Sequence, residues 1–138
     1  MKEFSIKHEF ASFEISNFEY FSQDPRNGVN SIFSVRVVSG NFSGVGDFEY
    51  NLEEFKKFIL SMKDMYDLKI NRVVLKDQMY SGRNYVEFTL DLLGHLNISG
   101  DLDEPGGDQF IHFSLSADQT YLKSFIESMK WVLEREYN

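Results

Sequence analysis

Cysteine is absent from these 138 residues, which excludes thiolate metal sites, cysteine nucleophiles and disulfide stapling. Long apolar runs are also missing: none exceeds three residues, as in Phe58-Ile59-Leu60, so no segment has the length of a membrane-spanning helix. The first residues, Met1-Lys2-Glu3-Phe4-Ser5, enter a polar/apolar alternation with no signal-peptide apolar stretch, and the expected compartment is the cytoplasm. Basic residues are the scarce charge, 14 Lys+Arg against 22 Asp+Glu, for a net charge of −8. Such a chain repels nucleic acid and attracts basic protein surfaces. Histidine occurs three times, without an HxH or HExxH pairing, and no G-x-S-x-G elbow, P-loop or G-x-G-x-x-G is present. None of these catalytic and nucleotide-binding signatures is present, and no cofactor is expected.

What the chain has is alternation and aromatic rings, with 14 Phe, 7 Tyr and 1 Trp. Phe4, Ile6, His8 and Phe10 share one parity, as a half-buried strand requires, and Phe13 and Ile15 continue the alternating pattern. Phe18 and Tyr20 fall on the opposite parity, so a bulge is predicted near Ser16-Asn17. Ile32 to Val38 and Phe42 to Tyr50 read as strands joined at Ser39-Gly40-Asn41, and Gly44 and Gly46 leave room for a close neighbour. Asn51 is placed to cap a helix over about 51–66, with Tyr50 and Phe55 spaced as a hydrophobic staple and Leu52, Phe55, Ile59, Met62 and Tyr66 forming its apolar stripe. Strands follow at Ile70 to Lys76, Val86 to Leu92, Leu96 to Ile98 and Phe110 to Leu115. Residues Asp101 to Asp108 read as a Pro/Gly loop, and Asp118 caps a second helix over about 118–136. This order predicts an α+β fold, a mostly antiparallel sheet of seven to eight strands with two amphipathic helices packed on it.

A length of 138 residues is one domain, 1–138, by the usual prior. Within it Phe58-Ile-Leu-Ser-Met-Lys63 echoes Phe125-Ile-Glu-Ser-Met-Lys130, and the caps Asn51 and Asp118 are 67 positions apart. Two similar amphipathic helices give such an echo by chance. The alternative is a strand–strand–helix pseudo-repeat, about 30–66 and 95–136.

The charge is uneven. Residues 95–138 carry 8 acids and 3 bases, against 7 and 7 in residues 51–94. Asp101, Asp103, Glu104 and Asp108 cluster around Pro105-Gly106-Gly107, a solvated loop or a contact patch for lysines and arginines of a partner. An EF-hand reading fails because Pro105 and His112 occupy ligand positions. His95 and His112 would need to converge with a carboxylate to hold a metal, and their mutual distance tests that reading. Tyr20, Phe21, Tyr80 and Tyr85 are the aromatics least accounted for by core packing, and exposed tyrosines suit a protein interface. The candidate partner-binding residues are thus Asp101, Asp103, Glu104, Asp108, Tyr20 and Tyr80, with no catalytic, cofactor-binding or metal-binding residue.

The stretch Phe110-Ile-His-Phe-Ser-Leu-Ser-Ala-Asp-Gln-Thr-Tyr-Leu122, running into the last helix, and Phe42-Ser-Gly-Val-Gly-Asp-Phe-Glu-Tyr50 before the first, resemble the WapI-like family of bacterial immunity proteins. These are small cytosolic antidotes encoded beside wall-associated contact-dependent toxins. The resemblance covers about residues 30–138 and transfers no site residue. It implies a non-catalytic protein that binds and neutralises a cognate toxin domain, often a nuclease with a basic cleft; the charge and the short apolar runs argue against a nucleic-acid or membrane partner, and monomer and homodimer both stay open. The rival readings are another protein-binding or self-assembling module, or a small metal-dependent enzyme.

Overall fold

The structure, a computed structural model, describes residues 3–21, 29–77, 83–103 and 109–135. Four antiparallel strands, β1 (Phe4–His8), β2 (Ala11–Tyr20), β3 (Ser31–Ser39) and β4 (Phe42–Tyr50), lead into helix α1 (Leu52–Tyr66). Four more, β5 (Arg72–Lys76), β6 (Tyr85–Leu90), β7 (His95–Asp103) and β8 (Phe110–Asp118), lead into α2 (Gln119–Ser128) and a 3₁₀ turn, Lys130–Glu134. The fold is α+β. Its eight strands form two four-stranded sheets, β1-β2-β3-β4 and β5-β6-β7-β8, with every neighbouring pair antiparallel. Sequence-adjacent strands pair throughout, as short turns dictate; α1 breaks the meander between β4 and β5.

Local chemistry sets the element ends. Asn51 accepts from the Glu53 and Glu54 amides at the start of α1, and Asp118 accepts from the Thr120 amide at the start of α2, satisfying donors that a helix N-terminus leaves open. The staple forms, with Tyr50 and Phe55 rings 6.1 Å apart and edge-on. At the other end of α1, Leu68 sits at φ 61°. The Lys69 amide reaches the Asp64 carbonyl and the Leu68 amide that of Met65, a Schellman closure with leucine where glycine is usual. The predicted bulge appears as a register shift between Ser16 and Glu19 with Asn17 at φ 55°, and it returns Phe18 to the buried face.

Three elements differ from the sequence reading. Phe10 does not continue its strand; Glu9 and Phe10 form a two-residue turn between β1 and β2, Glu9 has φ 53° and Phe10 is 84% exposed. The final helix tightens into 3₁₀ geometry after Met129, which buries Val132 and lays Trp131 against Phe4 and Phe18. Asp101 to Asp103 belong to β7 rather than to a loop.

The inner faces of the two sheets and the helices enclose one continuous core. Phe13 of β2 meets Phe88 of β6 and Phe125 of α2 at ring distances of 5.3 and 6.0 Å, while Phe58 of α1 reaches Phe88 at 5.8 Å. The expected close neighbours of the β4 glycines are present. A methyl group at Gly44 would run into Ile111, and one at Gly46 would lie 2.8 Å from Leu102 and 2.9 Å from the Asn84 side chain. Buried Asn84 then clasps the sheets together: its Nδ2 donates to the Asp47 carbonyl of β4 at 2.8 Å and its Oδ1 accepts the Asp103 amide of β7 at 2.7 Å.

Candidate partner-binding surface

The second sheet carries the two described acidic candidates, Asp101 and Asp103, at the end of β7. Asp101 is exposed on β7, opposite His112 of β8, whose Nδ1 lies 2.8 Å from its Oδ1. Asp103, two residues on, is buried, and its carboxylate pairs with Arg83 at 3.2 Å. Its charge is already engaged within the fold, whereas that of Asp101 faces solvent. Glu104, Asp108 and Tyr80 lie outside the described residues. Tyr20 is half-buried at the end of β2, with the Arg135 guanidinium 5.7 Å from its ring and 5.5 Å from that of Trp131. The structure therefore does not gather the described candidates into one place: Asp101 and Asp103 share the end of β7, while Tyr20 belongs to the first sheet near the C-terminal turn.

The outer face of the second sheet carries a linked trio in which the Tyr85 hydroxyl donates to Glu87 at 2.7 Å and Arg72 Nη2 meets Glu87 at 2.8 Å. Donation from Tyr85, then from Arg72, holds the Glu87 carboxyl below the usual carboxylate range. At the far end Asp91 closes the β6–β7 turn by accepting the Leu93 and His95 amides, both at 2.9 Å. The His95 amide is the chief reason that the Asp91 carboxyl also titrates low.

His95 stands opposite Asp118 and His112 opposite Asp101. Six register positions separate the two histidines, roughly 20 Å at strand spacing, so they share no ligand position. Each instead pairs with one aspartate, His95 with Asp91 at 2.9 Å. Among the described residues no cluster of three His, Asp or Glu is placed to hold a metal ion. His8 is half-buried with its ring edge-on to Tyr121 at 5.1 Å.

Apolar side chains stand out at several turns and strand ends. Leu92 and Leu93 are 87% and 82% exposed at the β6–β7 turn. Phe10 and Phe42, from the turns β1–β2 and β3–β4, are 84% and 81% exposed, and Phe110 at the start of β8 is 63% exposed. The Gly40 amide donates to the Phe10 carbonyl at 2.9 Å, so the two turns adjoin. Phe110 and Val45 line an open depression of about 710 Å³ with Gly44, Asp47, Leu102 and Ile111. Exposed aromatic side chains of this kind are enriched at protein–protein interfaces.

The sequence profile of the Immunity protein WapI-like family matches residues 4–136. The chain belongs to that family. Membership in the WapI-like family makes it an immunity protein, a binder of a cognate toxin protein. A search among curated proteins finds no match. Among solved structures, a chain of the trypanosoma bruciei MRP1/MRP2 crystal structures superposes with a TM-score of 0.54 at 9% identity, covering 96% of this chain and 83% of that one. At that identity the likeness extends to the fold alone. No helix among the described residues of this WapI-like chain is long and apolar enough to cross a membrane.

Sequence reasoning missed Phe10 and Phe42 as surface features, since both sit on the apolar parity of their strands. The signal available was the pair Glu9-Phe10 between two alternating runs whose lengths match a hairpin; without glycine, asparagine or proline it is a weak turn mark.

Proposed function

We propose that this chain is a non-catalytic bacterial antidote that acts in the cytoplasm, binding a cognate toxin domain of basic, nuclease type and blocking it through an acidic surface. The observation that carries the reading is the family match over residues 4–136. Two others support it: a net charge of −8, which favours a basic partner over nucleic acid, and Asp101 with its charge directed to solvent at the end of β7. Steering by such a surface raises association rates, and an interface of about 1,600 Å² with a few well-packed anchors is enough for tight binding. Within this reading Asp101, Glu104 and Asp108 belong to the charged rim. Asp103 supports the rim through Arg83, and Tyr20 and Tyr80 are contact residues.

The test is co-expression with the toxin domain encoded in the adjacent upstream reading frame. Cells producing both proteins grow, cells producing the toxin alone do not, and the two copurify as a complex whose association slows as salt rises. A toxin that kills equally well with and without this chain, and that does not bind it, would refute the proposal. Asp101→Lys should slow association several-fold with little change in dissociation, as for a rim charge.

A further inference from the structure

Each of the four sheet edges carries backbone N–H and C=O groups that point away from the sheet and must find partners. Three of the edges are managed over all or part of their length, the first half of β4 being the exception among them. β1 has α2 alongside it and presents Lys7. β5 has α1 alongside it, carries Arg72 and Lys76 at its ends, and gives its outward Lys76 amide to the Tyr50 hydroxyl. In the second half of β4 the outward Glu49 amide donates to Asp77 Oδ1 at 2.9 Å, and the outward Asp47 carbonyl accepts from Asn84.

The β8 edge is different. The Gln119 amide donates to the Gly94 carbonyl at 2.9 Å in the same register that sets His95 opposite Asp118. In an antiparallel ladder this fixes the alternation: amides 111, 113, 115 and 117 face β7, and those of Phe110, His112, Ser114 and Ser116 face outward. Among the described residues none of these four outward amides has a backbone or side-chain partner. The usual guards of an exposed edge are charge and proline, and Phe110 to Ala117 contains no Asp, Glu, Lys, Arg or Pro. Beside this edge lies an apolar shelf. Ile111 is seated against Gly44, Phe110 and Val45 line the depression there, and the adjoining turns carry Phe42 and Phe10.

We propose that the free edge of β8 is the docking site, and that its occupant is an extended strand of the cognate toxin, added antiparallel or parallel as a ninth strand. This assignment rests on the antidote reading and names the surface that reading uses. Outward amides and carbonyls at alternate residues specify an extended backbone. One set of the guest strand's side chains lies toward Ile111 and the Phe42 turn and is apolar; the other lies on the face of Phe110, His112, Ser114 and Asp101 and is polar or basic beyond Phe110. A second copy of this chain is the disfavoured guest, because two molecules of net charge −8 repel.

The experiment uses the full chain with the toxin domain from the adjacent reading frame. Hydrogen exchange of the amides of His112, Ser114 and Ser116 should slow at least tenfold in the complex relative to the free protein. Ser114→Pro removes one outward donor and the exposed hydroxyl bond to Asn97 at 3.1 Å but no ladder bond, as proline on an edge strand permits; it should stay cooperatively folded and weaken toxin binding at least tenfold. Unchanged exchange at these three amides in a toxin-bound sample would overturn the proposal, and that measurement needs no variant to fold. Wild-type affinity in a folded Ser114→Pro protein would overturn it equally. Protection of the three amides in the free protein, together with a dimer by light scattering that Ser114→Pro dissociates, would make the guest a second copy and overturn the toxin assignment. Failure of the wild type to bind the toxin at all would refute the antidote reading itself, whereas full binding with exposed edge amides would refute only the docking site.

Discussion

Asn84→Ala tests how the two sheets are joined. Asn84 stands just before β6, where the ladder to β7 gives out, and its side-chain oxygen takes the Asp103 amide that a further β6 residue would have taken. Its Nδ2 holds the Asp47 carbonyl of β4, so one amide bridges both sheets. Alanine leaves two backbone groups without partners in a site where Asn84 itself is 1% exposed. An orphaned buried polar group costs about 1–3 kcal/mol, so the substitution should cost about 2–5 kcal/mol. That is a large share of the roughly 5–15 kcal/mol by which domains are stable. With a urea dependence of about 2 kcal/mol/M, the middle of the usual range, the midpoint of urea unfolding should fall by roughly 1–2.5 M. Asn84→Asp retains the acceptor, loses the donor and adds a charge near Asp103, so it should not rescue. A loss below about 1 kcal/mol in Asn84→Ala would show that water enters this seam freely, and the account of it as a dry clasp would be wrong.

Leu68→Gly should stabilise the protein by about 0.5–1 kcal/mol in urea unfolding, because Leu68 holds a left-handed conformation at φ 61° that suits glycine; destabilisation would mean that its side chain packs usefully. Gly100→Ala would drive a methyl group into the Tyr85 carbonyl, and backbone cannot yield as a side-chain tip can, so a loss of at least about 2 kcal/mol is expected; a wild-type melting temperature would refute this. Burial pushes the Tyr50 phenol from 10.0 up to about 12. A group whose folded pKa is raised stabilises fully below its unfolded value, so a contribution of about 2–3 kcal/mol should fade between pH 10 and 12. Tyr50→Phe should flatten that part of the stability profile, and an ordinary phenolate titration near pH 10 in the folded protein would sink the argument. Asp91 should titrate below ordinary aspartate by carboxyl NMR, so its support for the β6–β7 turn is complete above an ordinary aspartate pKa and lost as pH falls through the lowered one; a normal or raised midpoint would contradict the turn geometry.

Much of the fold was legible because local chemistry agreed with tertiary packing. Asn51 and Asp118 are strong caps, the stripe from Leu52 to Met62 has helical period, and Val86 to Leu90 alternates cleanly; each element forms where its pattern places it. Gly44 and Gly46 announced a close neighbour, though not that the neighbours are Ile111, Leu102 and Asn84. The β1–β2 turn was hidden because Glu9 adopts a positive φ without any turn residue to mark it. Parity arguments misplaced Phe10 because it shares the even parity of Phe4, Ile6 and His8, whereas the two-residue turn flips that parity and the inward set resumes at Ala11, Phe13 and Ile15. Acidic composition pointed to the end of β7 as a charged patch, yet it could not distinguish Asp101, which faces water, from Asp103, which is buried against Arg83.

The sequence by itself determined the strand and helix inventory, the caps, the sign of the charge and the family, because propensity, period and profile similarity are properties of neighbouring residues along the chain. Tertiary structure alone decided that the strands divide into two sheets and that Asn84 joins them. It also decided that, among the described residues, the outward amides of β8 have no partner and lie beside exposed phenylalanines. Those facts depend on which backbone groups from distant segments come within about 3 Å of each other, and no pattern within one segment encodes what another segment leaves uncovered.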